Sequence, residues 1–200
     1  MTNQAVWNLP AKANRKNPDE WLPLWMHLRD TAAVMDYLIS VWLPDSVKKT
    51  IDPAGNEEQL RKTAVLLGAL HDLGKATPAF CSMILQNIDG IENQLEGEGL
   101  PISGYKAFTS RKASPHPIAG EAVLLARDFP LCFASMVGAH HGKPHAKEGK
   151  GWEKKQLSPY SIHHINYYDR PELDMAEQWK EMRSWFIDQA LHLEIGRAHV

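Results

Sequence analysis

Gly68-Ala69-Leu70-His71-Asp72-Leu73-Gly74-Lys75-Ala76-Thr77-Pro78-Ala79-Phe80 is the stretch on which the reading of this chain turns. Upstream of it, from about Glu57 through Leu70, the apolar residues Leu60, Ala64, Val65 and Leu67 recur at helical spacing, which predicts a helix ending at Leu73 and Gly74 with His71 and Asp72 in its last turn. Downstream, Thr77 before Pro78 is a helix entry and predicts a helix over about Ala79 to Ile88. Working outward, Trp25, Leu28, Ala32, Met35 and Ile39 form one stripe of a helix from about Trp21 to Trp42, with His27 inside it and Pro44 closing it. Ser114-Pro115-His116-Pro117 opens a further helix through Arg127, Leu131 to His141 forms another, and an amphipathic helix spans about Leu173 to Leu193. The Gly-, Glu- and Ser-rich stretch from Asp89 to Ser114 reads as a loop with one short turn, and His145 to Tyr168 as a long surface loop or lid. Alternating β-branched runs are scarce, so the fold class is all-α.

Composition narrows the function. The chain has 200 residues, of which 44% are hydrophobic and 23% charged, as expected for one globular domain. No apolar run has the roughly 18 to 20 residues of a bilayer crossing, and Met1 to Pro10 lacks the features of a secretory signal, so a cytoplasmic location is expected. Cys81 and Cys132 are too few for a disulfide framework or a paired-cysteine zinc site. Lys plus Arg is 22 against Asp plus Glu 24, a net charge of −2, so a phosphate-bearing substrate must be drawn by a local positive feature. The ten histidines are the one compositional excess.

His27, His71-Asp72, His116 and His140-His141 each fall near the end or on one face of a predicted helix. Helix ends can converge on a point, and imidazoles with a carboxylate are what a divalent transition metal prefers. One carboxylate has two oxygens and can bridge two cations, while neutral imidazoles add affinity without cancelling charge. Five histidines and one aspartate around two divalent ions leave a net positive site that attracts a phosphodiester. Such ions act as Lewis acids, and they lower the pKa of bound water from about 15.7 to about 7.

The order of these residues is similar to that of the HD metal-dependent phosphohydrolase superfamily. The wording of Trp21-Leu22-Pro23-Leu24-Trp25-Met26-His27-Leu28, of the His71-Asp72 stretch, of Ser114-Pro115-His116-Pro117 and of Gly138-Ala139-His140-His141-Gly142 resembles the amino-terminal HD nuclease domain of the helicase-nuclease of type I CRISPR systems, most like subtype I-E. The resemblance implies an HD-domain helical bundle with its metal site at converging helices, and metal-dependent endonucleolytic cleavage of single-stranded DNA in CRISPR interference. It implies two divalent transition metal ions, Mn, Fe, Ni, Co or Zn in preference to Mg. By this resemblance His27, His71 and Asp72 hold one ion, and Asp72 bridges to a second held by His116, His140 and His141. Lys75 matches a family lysine suited to the scissile phosphate. The implied partners are single-stranded DNA, the CRISPR surveillance complex (Cascade) and a helicase domain in the full-length protein. The family also places a later aspartate on the first metal. No matching string is present, and Asp169, Asp174 and Asp188 are poor substitutes. Glu194 to Val200 resembles the translation of a sequencing adapter, so residues 1–193 are expected to be a carboxy-terminally truncated HD domain and 194–200 a tail. No GxxxxGK[ST] loop is present, and ATP binding is not expected of this chain.

Blander readings stand beside these. A helical histidine taken alone is a packed or surface residue. His145, His163, His164, His192 and His199 have no motif support. Lys75 can be read as a solvated cation at a helix end, and Trp21, Trp25 and Trp42 as packing anchors. Lys143, Lys147, Lys150, Lys154 and Lys155 fit a DNA-tracking surface or an ordinary solvated loop equally well. Two other functions compete: an HD phosphohydrolase acting on nucleotides, and a truncated, inactive HD module.

Overall fold

Two helices crossing at near backbone contact form the frame. Helix α2 (Leu24–Tyr37) and helix α4 (Glu57–Leu70) meet at Gly68, where a β-carbon would stand 3.0 Å from the Thr31 carbonyl and 3.1 Å from Ala32 Cα. The computed structural model describes residues 4–103, 115–142 and 176–196. Helix α4 starts because Asn56 caps it, its side-chain oxygen accepting from the Gln59 amide at 3.1 Å, with Glu57 and Glu58 favourable in the first turn. Its buried residues, Ala64, Val65, Gly68, Ala69 and Leu70, cover one side.

Around this pair the chain also runs through α1 (Gln4–Asn8), a two-stranded antiparallel hairpin of β1 (Pro10–Asn14) and β2 (Asn17–Pro23), α3 (Asp45–Ile51), α5 (Pro78–Ile84), α6 (Ile91–Gly97), α7 (His116–Ala126), α8 (Leu131–Gly138) and α9 (Ala176–Gly196). The all-α expectation stands, with one small sheet added to it. Helix α9 packs along α4 and buries Trp179, Met182, Phe186, Ile187 and Ala190, and the Trp179 indole donates to the Pro101 carbonyl at 2.9 Å. Helix α7 is buried continuously from Pro117 to Leu124 and lies between α8 and the turn that follows α4. Among the described residues no helix is long and apolar enough to cross a membrane.

Several boundaries differ from expectation for identifiable reasons. Trp21 and Leu22 pair across the hairpin with Ala13 and Lys12, so α2 begins only after Pro23, whose extended backbone sets the helix entry. The same helix passes at Leu38–Trp42 into a π-helical turn closed by the Leu43 amide on the Leu38 carbonyl at 2.8 Å. Trp42 is 67% exposed there and is no packing anchor, whereas Trp21 and Trp25 are half-buried against the core. Helix α4 stops at Leu70, so His71 and Asp72 lie just past it, followed by a short 3₁₀ turn over Leu73–Lys75. Helix α5 gives way at Leu85 to another 3₁₀ turn. Helix α8 stops at Gly138, leaving His140 and His141 in a turn completed by Gly142 at φ +89°. Helices α1, α3 and α6 were not expected as helices; α3 buries no residue and α6 buries only Leu95, so neither carries an apolar stripe to read. The His145–Tyr168 loop lies outside the described residues, as do His199 and the five lysines of the basic cluster.

Gly74 sets the distance between two parts of the site. A β-carbon there would collide with the His116 carbonyl and stand 2.6 Å from the Gly120 nitrogen, and both obstacles are backbone. Gly74→Ala is therefore expected to destabilise the chain by about 1 to 3 kcal/mol. For a chain of this size that is a drop of several degrees in Tm, measurable by circular dichroism. An unchanged Tm would contradict the close approach.

Candidate metal centre

The end of α4 delivers a carboxylate into the interior. Asp72 is 3% exposed, and its two oxygens face different neighbours. Oδ2 lies 2.8 Å from His27 Nε2 of α2 and 3.2 Å from His71 Nε2. Oδ1 lies 3.1 Å from His116 Nε2, at the start of α7, and 3.3 Å from His140 Nε2, just past α8. His141 Nε2 stands 3.1 Å from His116 Nε2. Two triads result, His27, His71 and Asp72 on one side and His116, His140 and His141 on the other, and within each triad the candidate donor atoms lie within 4.8 Å of one another. All six residues singled out in the sequence thus meet in one place.

Backbone carbonyls aim two of the rings. The Nδ1–H of His71 donates to the Gly68 carbonyl at 2.8 Å, and that of His140 to the Val137 carbonyl at 2.7 Å. In the neutral ring this leaves Nε2 as a bare acceptor pointing at the carboxylate. Oδ1 of Asp72 and Nε2 of His140 are both buried, and despite their closeness neither has a partner in hydrogen-bond geometry among the described residues. Two facing acceptors in a buried site call for a cation between or beside them, either a proton or a metal ion. Two nitrogens ligating one tetrahedral ion at 2.0–2.1 Å stand about 3.3 Å apart, close to the His116–His141 separation. The donor set, imidazole with a shared carboxylate, fits divalent transition ions.

The electrostatics favour a charged carboxylate and mixed imidazoles. Burial works to raise the pKa of Asp72, but His116, His140, His71 and Lys75 together hold the carboxyl far below the usual carboxylate range. Burial lowers the pKa of His27 and, with the neighbouring charges of His140 and His116, that of His141. For His140 burial is outweighed by the facing Asp72 and the Val137 carbonyl, and the pKa is raised.

Lys75 is only 6% exposed, which removes the reading as a solvated cation. Its ammonium lies 2.8 Å from Asp72 Oδ2 and 5.5 Å from the centre of the Phe80 ring, which also meets the His116 ring edge to face at 5.5 Å. The turn carrying Lys75 is pinned from within its own segment and from α9. Thr77 donates to the Gly74 carbonyl at 2.8 Å, and Arg183 of α9, 3% exposed, donates to the Ala76 carbonyl at 3.3 Å. The signal for Arg183 was present as a lone arginine inside the apolar stripe of Met182, Phe186 and Ile187. Asp188 is exposed on α9 and His192 bonds its own helix through the Asp188 carbonyl; neither joins a triad, and Asp169 and Asp174 lie outside the described residues.

Comparison with known proteins shows the family and the fold. The family model described as "Cas3, HD domain" matches residues 11–196. A CRISPR-associated nuclease/helicase Cas3 from Streptococcus thermophilus is 32% identical over 184 residues, covering 86% of this chain and 19% of that protein. A crystal structure of a CRISPR-associated protein superposes with a TM-score of 0.66 at 23% identity, covering 95% of this chain and 20% of the other, and shows the same fold. The chain spans about one fifth of the length of these relatives. It belongs to the Cas3 HD-domain family.

Proposed function

We propose that this chain is a metal-dependent nuclease domain that cleaves single-stranded DNA by water attack on the phosphodiester. The observation that carries the reading is the division of the Asp72 carboxylate, one oxygen toward each triad. Two divalent transition ions held there supply Lewis acidity and an acidified water, which suits hydrolysis without a covalent intermediate. His27, His71 and Asp72 would hold one, and His116, His140 and His141, with Asp72 alongside, would hold the other. The Gly68 and Val137 carbonyls keep His71 and His140 in the tautomer that offers Nε2. Lys75, held over Phe80, adds a positive charge at the same centre for the phosphate and for charge that develops on it. Mn, Fe, Co, Ni and Zn suit these donors better than Mg. The nuclease/helicase relative supports a place in a CRISPR system, with a helicase domain in the full-length protein; recruitment by the Cascade surveillance complex is part of the same proposal.

Cleavage of labelled single-stranded DNA by the purified chain in Mn²⁺, Co²⁺ or Ni²⁺ tests the reading. Cutting is expected, lost with chelator and reduced to background by Asp72→Ala with helical content retained. Persistent cutting by that variant sinks the site assignment. Turnover of a deoxynucleoside monophosphate without cutting of an oligonucleotide would replace DNA with nucleotides as the substrate.

Protons compete with metal for the imidazoles. His27 and His141, with lowered pKa values, give up a proton more readily than a free imidazole, whereas His140, with a raised pKa, holds one more tightly. Co²⁺ uptake is therefore expected to release more protons as the pH is lowered, His140 being the first of the three rings to contribute, seen by calorimetry in buffers of different ionisation enthalpy. Apparent affinity should weaken as pH falls through the raised His140 value, and again at lower pH as His27 and His141 protonate. An affinity that stays flat between about pH 8 and pH 6 would contradict the ligand set.

A further inference from the structure

Glu121 is a buried carboxylate to which the metal reading gives no task. It lies on α7, the helix that His116 opens, and is 7% exposed. It faces the last turn of α8. The Ser135 hydroxyl donates to Oε1 at 3.1 Å, and the carboxylate packs on the Gly138 backbone so closely that a β-carbon there would come within 2.8 Å of Cδ and closer still to Oε2. Ser135 and Gly138 bracket Val137, whose carbonyl aims His140. The carboxylate therefore grips the one turn of α8 from which both His140 and His141 emerge.

Packing alone does not explain a carboxylate here. An aliphatic side chain of similar size would fill the space between α7 and α8 without the cost of desolvating a charge. Apolar contact is, however, less directional than a hydrogen bond and so specifies a small slide or rotation of one helix against another less sharply. On the neighbouring side of α7, Gly120 already fixes its distance from the Asp72 turn, a β-carbon there standing 3.2 Å from the Gly74 nitrogen.

We infer that Glu121 is a positioning residue for the second triad, fixing the register of α8 on α7 and with it the placing of His140 and His141 relative to His116. The inference rests on the metal reading proposed above. Residues that orient ligands in this way change metal affinity by about 10- to 100-fold when replaced.

The test is a Co²⁺ titration of the 200-residue chain, followed by calorimetry and by the visible absorption of the ion. It is run in a His27→Ala background, which weakens the first triad, and in a His141→Ala background, which weakens the second. Glu121→Leu should lower Co²⁺ affinity about 10- to 100-fold and alter the absorption in the His27→Ala background. It should leave affinity unchanged in the His141→Ala background, with the Tm of the metal-free chain maintained. Glu121→Gln, which keeps an acceptor for Ser135, should recover most of the affinity, and Ser135→Ala should lose part of it. Equal affinity for Glu121→Leu and its parent overturns the inference. Parallel loss at both triads with a lower Tm also overturns it, leaving Glu121 a scaffold residue. If Glu121→Leu does not fold, Ser135→Ala, which removes one hydroxyl, decides by the same comparison. Two ions bound by the unaltered chain with no effect of Glu121 defeats this inference alone, whereas no Co²⁺ uptake by the unaltered chain defeats the metal reading together with it.

Discussion

A single buried carboxylate governs the arrangement of this domain. Asp72 stands among four imidazole nitrogens and the Lys75 ammonium, all within 3.3 Å. An isolated charge buried to this degree costs several kcal/mol, so the surrounding donors are a condition of the fold as well as of its chemistry. Each helix that supplies one must come close enough to reach it. That requirement explains the glycines at the crossings: Gly68 where α4 meets α2, Gly74 and Gly120 where the Asp72 turn meets α7, and Gly138 where α8 meets the Glu121 side chain. A β-carbon would press on backbone at Gly68 and Gly74, sit tightly at Gly120, and displace the Glu121 carboxylate at Gly138.

The centre is aimed from outside as much as from within. His71 and His140 are turned by carbonyls of the helices they leave, three residues back in each case, so the turn that ends the helix also orients the ring. The Lys75 turn is tied down by Thr77 within its own segment and by Arg183 from α9, 107 residues away along the chain. A helix with no ligand among its described residues thus takes part in holding the site, and it does so through one buried guanidinium.

The helices and the ligand set were legible in the sequence for different reasons. Long apolar stripes such as those of α2 and α4 carry enough periodic signal to stand on their own, and the wording around His71-Asp72 and His140-His141 identified which histidines to group. The hairpin was not legible, because Pro10–Asn14 and Asn17–Pro23 show no alternation and pair with two irregularities of register. Helices α3 and α6 were not legible because almost nothing on them faces the core. Trp42 was misjudged because its spacing fits the α2 stripe, while the π-helical turn rotates it into solvent. Lys75 illustrates the reverse limit. The resemblance placed it beside the metals while its position past a helix also allowed a solvated cation, and the packing of Phe80 and the approach of α7 show that it is enclosed. Contacts between distant segments, Glu121 with Ser135 or Arg183 with Ala76, leave no periodic trace at all.

The two triads also differ in how much of the chain must be in place before each exists. His27, His71 and Asp72 come from α2 and the end of α4, the pair that crosses at Gly68, whereas His116, His140 and His141 need α7 and α8 docked on each other and on the Asp72 turn. A partly assembled chain in which only the α2–α4 pair has formed offers one cluster of donors and lacks the other. Occupancy of the second cluster is then a statement about completed tertiary docking. Any ion that prefers it shifts the folding equilibrium toward the fully closed domain by mass action.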